Sequence, residues 1–434
     1  MKKLIYILIL LITFYSCDNF LDVRPTGEIV NNDLFETAEG YEEALYGVYS
    51  FLAREPLYGK NMTYGLVDVV GQYFSGGWDQ HWSNQLRLYN YKHMEVRPEI
   101  DAIWESMYKG ISYVNNMLEN LAKHDSTKFA LYDVYKAEAL GLRAFMHFEL
   151  LRLFSESIIQ NPNATGIPYR EKYSYQVTPF DAISESYNKI IRDFKEAEKL
   201  LTAHGEYFDR TDENAGGFVK DRVIHMNLYA VQALLARVYW EKGDLEPAKD
   251  YAMKVIDCPF FTMEDKTNVE DIMNGVISDK ETIWGLYSED FPNYTRDVMY
   301  SSGGSFYYDP KPDYRDMYEV DQDGFDYRLD KWFQTLSDHG AEGLRCMKVV
   351  DRFKVRLSTR PVAKLSGINM IRLPELYYIV AEYYLVADNM EMAATYLDKV
   401  VRARGLNGFN KGDGVVVVSR MNINNDRRKE LVCE

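Results

Sequence analysis

The stretch from Tyr73 to Tyr91 carries the residue types best suited to bind a ligand by stacking. A sugar ring presents apolar C–H faces that stack on indole or phenol rings, and hydroxyl groups that bind amide, carboxylate and guanidinium groups. Both kinds of side chain alternate within this stretch. The residues that we expect to contact such a ligand are Tyr73, Trp78, Asp79, Trp82, Asn84 and Arg87.

The composition of this stretch leaves its place in the fold open. The Gly76-Gly77 pair favours an exposed loop, in which the rings would be available for stacking. Tryptophan side chains are on average highly buried, however, so packing of Trp78 and Trp82 against the rest of the protein is an equally good interpretation.

A second aromatic segment, from Phe291 to Tyr318, is a candidate for the opposite wall of the same site. Its candidate ligand-binding residues are Tyr294, Tyr307 and Tyr308. A structural role for these rings, or contact with a partner protein, explains their abundance equally well.

The sequence carries none of the common catalytic motifs. It contains no GxSxG, HExxH, Walker or GxGxxG pattern. Carboxylates are plentiful enough to supply a catalytic pair, but none stands out from solvated helix faces. We expect His147, within AFMHFEL, to pack or to form a hydrogen bond on its helix. We therefore predict a protein that is not an enzyme and needs no cofactor.

The segment from Glu319 to Asp330 imitates a calcium-binding EF-hand loop. Its first position holds glutamate in place of aspartate, and its last holds Asp330 in place of the bidentate glutamate that completes such a site. We therefore predict no metal site.

Charge and cysteine content limit the possible partners further. Acidic residues outnumber basic ones by 66 to 50, for a net charge of −16, whereas nucleic-acid binding needs clustered positive charge. Nucleic acid is therefore not an expected partner. Besides Cys17, the cysteines Cys258, Cys346 and Cys433 show no spacing typical of a disulfide framework or metal site, so we expect each to be a small buried apolar residue.

Residues 1–16 have the pattern of a secretion signal. Lys2 and Lys3 precede an apolar run that is too short to span a bilayer comfortably. Ser16 stands directly before Cys17, which resembles a bacterial lipoprotein signal whose cleavage leaves the cysteine to be acylated. We predict lipidation of Cys17, with ordinary secretion and a free thiol as the alternative.

The clearest structural pattern is a pair of helices from Leu228 to Pro259. Asn227 suits the N-cap of the first helix, Gly243 the left-handed residue that ends it, and Asp244 the cap of the second. The pattern returns from Pro374 to Gly405 at a constant offset of 145 residues (381 − 236). Such pairs resemble tetratricopeptide repeats, and two unrelated amphipathic hairpins are the alternative.

We predict one mostly α-helical domain from residue 17 to residue 434, in which helix pairs form a right-handed helical body beside a large irregular half. Repeat-like helices occupy about 101–257 and 372–405, and loop-rich segments on the ligand side occupy about 55–100 and 258–370. Helix pairs of this kind cannot bury their apolar faces alone, so they require a compact body around them.

Several passages of the chain together resemble the SusD/RagB family, outer-membrane glycan-capture lipoproteins of Bacteroidetes. They are, in chain order, SCDNFLD, FETAEGYEEALYGVYSFL, AEALGLRAFMHFELLRLF with GIPY after it, DKETIWGLYSED, IRLPELYYIVAEYYLVA with LDKVVRARG, and DRRKEL. Each passage is weak alone, but their order and spacing are specific, and they span nearly the whole chain.

This resemblance implies a helical body with four tetratricopeptide-like pairs on one side and an irregular ligand-binding half on the other. It implies a non-catalytic lipoprotein on the outer surface of the outer membrane, which captures oligosaccharides and delivers them to a SusC-like TonB-dependent β-barrel transporter. In the family, the region of Trp78 and Trp82 contributes to glycan binding, and Trp284 falls in a strand-like core element. An acidic turn like that of Asp323, Asp326 and Arg328 recurs there as a structural element.

The chain departs from the family at its end. The DRRKEL-type motif is normally followed by glycine, arginine and a further helical region, whereas this chain stops at Glu434. We expect the missing helices to leave apolar surface uncovered and the chain to be less stable than a full-length relative. A complete relative with the same melting temperature would contradict this expectation.

Two other functions stay open from the sequence. One is a repeat scaffold that binds a protein or peptide in the groove of its helix pairs, and the other is an enzyme acting on glycans. Exposed aromatic rings on the loops would favour glycan binding, whereas such rings on the helical groove would favour a peptide.

Overall fold

The computed structural model describes residues 31–76, 81–204, 217–265, 275–299, 307–310, 313–318, 325–338, 341–351, 365–412 and 416–434. The signal segment, Cys17, Trp78 and Asp79 lie outside the described residues, as does the side chain of Tyr307. Among the helices that are described, none is both long and apolar enough to cross a membrane.

The fold is mostly helical, as predicted. The helices are α1 (Asn31–Leu34), α2 (Ala38–Leu52), α3 (Leu66–Val70), α4 (Trp82–Arg87), α5 (Arg97–Leu121), α6 (Tyr132–Phe154), α7 (Ile183–Thr202), α8 (Leu228–Lys242), α9 (Leu245–Ile256), α10 (Phe291–Met299), α11 (Tyr314–Met317), α12 (Tyr327–Trp332), α13 (Leu373–Val386), α14 (Met390–Ala403) and α15 (Arg420–Glu430). The strands are β1 (Phe74–Ser75), β2 (Thr282–Tyr287), β3 (Tyr307–Tyr308), β4 (Phe333–Asp338), β5 (Ala341–Cys346) and β6 (Gly367–Arg372). They pair antiparallel as β1 with β3, β2 with β6 and β4 with β5.

The helical body is a series of neighbouring antiparallel helices. Helices α5 to α9 pack each on the next, α9 packs on α13, and α13 packs on α14. Helix α6 lies inside this series, because every residue from Val134 to Leu151 except Lys136 is buried. A helix that is buried on all sides, rather than on one face, lies in the middle of a protein.

Helices α8 and α9 form the first predicted repeat, and helices α13 and α14 form the second. Asn227 caps α8 by accepting a hydrogen bond from the Ala230 N–H at 2.9 Å, and Gly243 ends it at φ 84°. In the second repeat Asn389 caps α14 with its side chain, and Asp388 takes the left-handed position at φ 57°. The predicted cap and left-handed end of α8 are therefore confirmed, and the second repeat has the same left-handed turn.

One cap differs from its prediction. Asp244 occupies the N-cap of α9, but its side chain forms no capping hydrogen bond. Its carboxylate pairs with the Lys242 ammonium instead. The sequence thus predicted where α9 starts but not what Asp244 binds.

The interior of the two repeats is the same. Tyr239 stacks on Tyr251 with ring centroids 5.8 Å apart and planes 10° apart. At the offset of 145 residues, Tyr384 stacks on Tyr396 at 5.5 Å and 11°. Two unrelated hairpins would not reproduce this packing, so the repeat interpretation holds.

Trp284 lies in the core, as the resemblance implied. It is fully buried on β2, and its ring meets the Phe145 ring of α6 edge-on at 4.9 Å. The β2–β6 ladder therefore packs against the middle of the helical body.

Three buried arginines connect the C-terminal helix α15 to the rest of the protein. Glu430, in the DRRKEL passage, accepts hydrogen bonds from Arg404 and Arg372 at 2.8 Å each and from Arg328 at 3.2 Å. Burial by itself raises the pKa of Glu430, but these guanidinium groups outweigh it and hold that pKa well below its usual range. Removing any one partner of a buried carboxylate paired in this way would strongly destabilise the fold.

The acidic turn before α12 belongs to the same network. Asp326 caps α12 by accepting a hydrogen bond from the Arg328 N–H, and the Arg328 side chain binds both Asp326, at 2.8 Å, and Asp426, at 2.6 Å. The structural role implied by the resemblance therefore holds for Asp326 and Arg328. Asp323 lies outside the described residues.

Candidate functional site

The two predicted aromatic segments meet through a short β-ladder. Phe74 pairs with Tyr308 and Ser75 with Tyr307, and the Asp309 N–H donates to the Tyr73 carbonyl at 2.9 Å. The segments therefore lie side by side, joined by backbone hydrogen bonds, rather than as two facing walls.

An ion pair reinforces this junction. The Arg87 guanidinium donates from Nη1 to Asp309 Oδ2 at 2.8 Å and from Nη2 to the Asp309 carbonyl at 3.3 Å. The Arg87 side chain is 9% exposed and that of Asp309 is 56% exposed. Arg87 is therefore fixed in place, and the carboxylate beside it faces solvent.

Tyr308 is not a ligand-stacking residue. Its ring is buried, with centroids 4.2 Å from Phe333 and 5.8 Å from Phe74. No sugar face can reach a ring covered in this way. The prediction for Tyr308 is wrong because β3 turns this side chain into the core.

Trp82 packs rather than standing free. It begins α4, lies half-buried against the core, and has the Lys60 ammonium 5.0 Å from its ring centroid. A sugar would have to displace Lys60 to stack on that face, because the cation already occupies it. The packing interpretation of Trp82 is thus the better one for this structure.

Tyr73 is also largely enclosed. The Arg428 guanidinium carbon lies 5.1 Å from its ring centroid. Burial, together with the nearby Asp68 carboxylate, raises the pKa of Tyr73 to about 12. Asn84 is half-buried on α4, one turn before the end of the helix.

Tyr294 lies apart in the fold, on α10. It is half-buried, and burial followed by the carboxylate of Asp290 raises its pKa. Helix α10 packs through Phe291 on Tyr64, with ring centroids 6.1 Å apart.

The exposed aromatic rings of this region belong to the turn that follows α4, residues Leu88–Tyr91, here called the tyrosine turn. Tyr89 and Tyr91 are 53% and 47% exposed, with ring centroids 6.3 Å apart and planes inclined by 52°. Beside them the Asn90 amide donates to the Gln85 side-chain oxygen at 3.0 Å. Rings and amides are thus presented together to solvent.

The tyrosine turn has the backbone of a Schellman helix end. The Asn90 N–H donates to the Gln85 carbonyl at 3.0 Å, and the Tyr89 N–H donates to the Leu86 carbonyl at 2.8 Å. Tyr89 is left-handed at φ 57°, where glycine is the usual residue. Sequence reasoning did not single out either tyrosine; the available signal was a pair of aromatics just past a short helix that lacks a terminal glycine.

His147 and the acidic residues form no metal-binding group in the part of the chain that the structure describes. His147 is buried, its Nδ1 bonded to the Arg143 carbonyl and its Nε2 accepting the Arg170 N–H, and burial lowers its pKa to about 3. Among the described residues, no group of three or more His, Cys, Asp or Glu could hold a metal ion. Residues 319–324 of the calcium-like loop lie outside that description.

Comparison with known proteins places this architecture. The model of a SusD-like family, described as "Starch-binding associating with outer membrane", matches residues 19–240, about half of the chain. No curated protein sequence matches it.

Solved structures share the whole fold. A SusD superfamily protein of Bacteroides thetaiotaomicron is 21% identical with a TM-score of 0.72, covering 92% of this chain and 87% of that one. A SusD-like carbohydrate binding protein of Bacteroides vulgatus is 21% identical with a TM-score of 0.67, covering 91% and 80%. Surface glycan-binding protein A of Bacteroides uniformis is 17% identical with a TM-score of 0.67, covering 92% and 86%. At these identities the likeness shows a common fold, and it confirms the predicted fold class.

Proposed function

Since the chain belongs to this SusD-like family of starch-binding proteins that associate with the outer membrane, we propose that it is a non-catalytic surface lipoprotein that captures oligosaccharides. It delivers them to a SusC-like TonB-dependent β-barrel transporter. The observation that carries the proposal is the exposed ring pair of Tyr89 and Tyr91. The lipid anchor at Cys17 and the outward orientation belong to the same proposal.

The geometry of the ring pair suits a sugar chain. Each phenol ring has an apolar face for the C–H face of one sugar and a hydroxyl for a neighbouring oxygen. The two ring planes are inclined by 52° and their centroids lie 6.3 Å apart, so the pair offers two separate stacking faces to neighbouring sugars of one chain.

Backbone strain at Tyr89 supports the same conclusion. A non-glycine residue in the left-handed region costs about 1 kcal/mol or more. Tyrosine gains no local hydrogen bond there that glycine would lack, because both Schellman bonds use backbone atoms. The ring is therefore held in an exposed position at the expense of stability, which is typical of a functional site.

Polar groups suited to sugar hydroxyls belong to the tyrosine turn, to α4 before it, and to Asp309, which Arg87 of α4 binds. Asp309 presents a carboxylate that Arg87 orients, and the bonded pair of Gln85 and Asn90 is exposed. Because these protein groups are already held in place, binding a sugar hydroxyl restricts their motion little further. Per site, binding through a few such contacts is weak.

The other predicted residues complete the proposed ligand side. Trp78 and Asp79 precede α4 in the chain, Trp82, Asn84 and Arg87 lie on α4, and Tyr73 directly precedes β1. We propose that segments 55–100 and 258–370 form the ligand side of one domain, residues 17–434, and that the helix pairs are its platform.

The distribution of exposed rings favours a glycan over a peptide ligand. Aromatic rings exposed on loops are those of Tyr89, Tyr91, Tyr173, Tyr175, Phe180 and Phe325. On helices, the exposed rings are those of Tyr46 on α2 and Tyr113 on α5, and the large apolar residues exposed on α8, α9, α13 and α14 are Val386 and Met390. A peptide groove between α8, α9, α13 and α14 would need more apolar anchors than these two residues.

The proposed function is tested by affinity electrophoresis and calorimetry of the protein against soluble starch and a panel of other polysaccharides. We expect binding to at least one of them. Replacing both Tyr89 and Tyr91 by alanine should weaken it about tenfold or more, because two stacking contacts are lost. The matched control is Tyr175→Ala, which removes a fully exposed ring from another loop.

Two results would contradict the proposal: binding to none of the panel, or unchanged affinity in the double variant. Products released from a bound polysaccharide would show an enzyme instead. The anchor is tested separately, since a Cys17→Ala variant should leave the membrane fraction, and its retention there would count against lipidation.

A further inference from the structure

Cys346 and Cys433 lie in contact although 86 residues separate them in the chain. Their Sγ atoms are 3.4 Å apart, and both side chains are buried. The third described cysteine, Cys258, is buried without a cysteine neighbour. Spacing along the sequence gave no sign of this contact.

Both sides of the contact are held by backbone interactions. Cys346 ends β5, where it pairs with Phe333 of β4. The Cys433 N–H donates to Asp68 Oδ2 at 2.7 Å. Lys348, two residues after Cys346, donates to the Val432 carbonyl at 2.9 Å. The contact between the two cysteines is therefore set by the positions of the two backbone segments.

The compartment favours oxidation. Association with the outer membrane requires passage through the periplasm, where disulfides form and persist. The sulfur atoms need to approach by about 1.3 Å more to reach the bond length of about 2.05 Å, a shift that two side chains can share.

We propose that Cys346 and Cys433 form a disulfide in the exported protein, linking the β4–β5 hairpin to the residues that follow α15. Each thiol gives up one proton and one electron as the sulfur–sulfur bond forms. The electrons and protons pass to the disulfide of an exported thiol–disulfide oxidoreductase, which becomes a dithiol.

The proton chemistry sets the order of events. Burial, with Cys346 against it, raises the pKa of the Cys433 thiol well above its usual value. Since the thiolate is the attacking species, oxidation of the finished fold is slow, and the bond forms before this region is enclosed. Once formed, the buried bond is open to reductants only when this region unfolds, as it does during a thermal melt.

The experiment uses cells expressing the full chain, lysed directly in detergent with N-ethylmaleimide so that free thiols are trapped. Trypsin without reduction releases the peptide Cys346–Lys348 and the peptide that begins at Glu430 and contains Cys433. We expect them joined, about 2 Da lighter than their sum and separable by reductant. The Cys258 peptide should carry N-ethylmaleimide and serves as the internal control. Both peptides alkylated, with no joined species, would overturn the proposal.

A stability measurement gives an independent result. Reductant should lower the Tm of the native protein by about 5 °C, because the bond closes a long loop. Cys258→Ser should show the same shift, and Cys433→Ser or Cys346→Ser should show none. A Tm of the native protein that is the same with and without reductant would contradict the inference.

Discussion

Helix α13 in the helical body and helix α4 in the loop-rich half end in the same left-handed turn, with Asp388 at φ 57° in one and Tyr89 at φ 57° in the other. In both turns the N–H of the next residue donates to a carbonyl five residues earlier, at 2.9 Å and 3.0 Å. Aspartate adopts this conformation at low cost because its side chain is short and polar, whereas tyrosine adopts it at a higher cost. In the body, the residue at this position suits the turn. In the loop-rich half, the residue at the same position presents an exposed ring.

Buried acids repeat this difference. Glu430 in the body is surrounded by Arg328, Arg372 and Arg404, and its pKa lies well below the usual range. Asp68 on α3 is equally buried, but the Cys433 N–H and Lys348 compensate it only in part, and its pKa rises to about 7. The charges around Glu430, which include Arg328 of the loop-rich half, are well paired, whereas Tyr89 retains backbone strain and Asp68 is incompletely paired.

The largest effect is expected from Glu430→Ala. It leaves three buried guanidinium groups short of an acceptor and should lower the free energy of unfolding by about 3–5 kcal/mol. Urea unfolding measures this, with the exposed Glu43→Gln on α2 as a control that stays within about 0.5 kcal/mol. An unchanged unfolding midpoint in Glu430→Ala would show that the paired Glu430 does not stabilise the fold.

The pH dependence of Glu430 follows from the direction of its pKa. A carboxyl whose folded pKa is depressed stabilises the fold above its unfolded pKa and loses that contribution as pH falls toward the folded pKa. The difference in free energy of unfolding between the native protein and Glu430→Ala should therefore be largest above about pH 5 and become smaller in stronger acid. A gap that widens in acid would contradict the assignment.

Asp68→Asn should act in the opposite direction. A carboxyl whose folded pKa is raised to about 7 costs stability as pH rises from its unfolded value through 7. As pH rises from 5 to 8, the free energy of unfolding of the variant should therefore increase by on the order of 2 kcal/mol relative to that of the native protein. Urea unfolding at both pH values tests this, with the exposed Asp330→Asn as control. Equal behaviour of the two variants would mean that Asp68 is not strained by burial.

Asp388→Gly should give the smallest effect. Glycine relieves the left-handed conformation but adds freedom to the unfolded chain, so the net gain is at most about 1 kcal/mol. Glycan binding should be unchanged, because this turn lies in the body. A loss of affinity in this variant would show that turn geometry alone disturbs the ligand side.

The sequence predicted the features that depend on neighbours along the chain. Asn227, Gly243 and the repeat offset could be identified because helix ends follow local rules. Trp284 was assigned to the core through the family resemblance rather than through its own surroundings. The burial of Cys258, Cys346 and Cys433 followed from the usual behaviour of unpaired cysteine.

The site was less predictable because it depends on contacts between distant segments. Strands of two residues, β1 and β3, carry no periodic signal, so the burial of Tyr308 could not be foreseen. Trp82 suits packing and stacking equally from sequence. Tyr89 was missed because a left-handed helix end is recognised by glycine or asparagine, and here tyrosine stands in that position.

The central claim is tested most directly by Tyr89→Gly, measured for stability and for glycan affinity in one preparation. Glycine keeps the Schellman turn and removes the ring. The account predicts a free energy of unfolding that is unchanged or higher by up to about 1 kcal/mol, as in Asp388→Gly, together with a clear loss of affinity for the glycan identified in the panel. Full affinity in Tyr89→Gly, with the turn intact, would contradict the claim that the ring is exposed in order to bind.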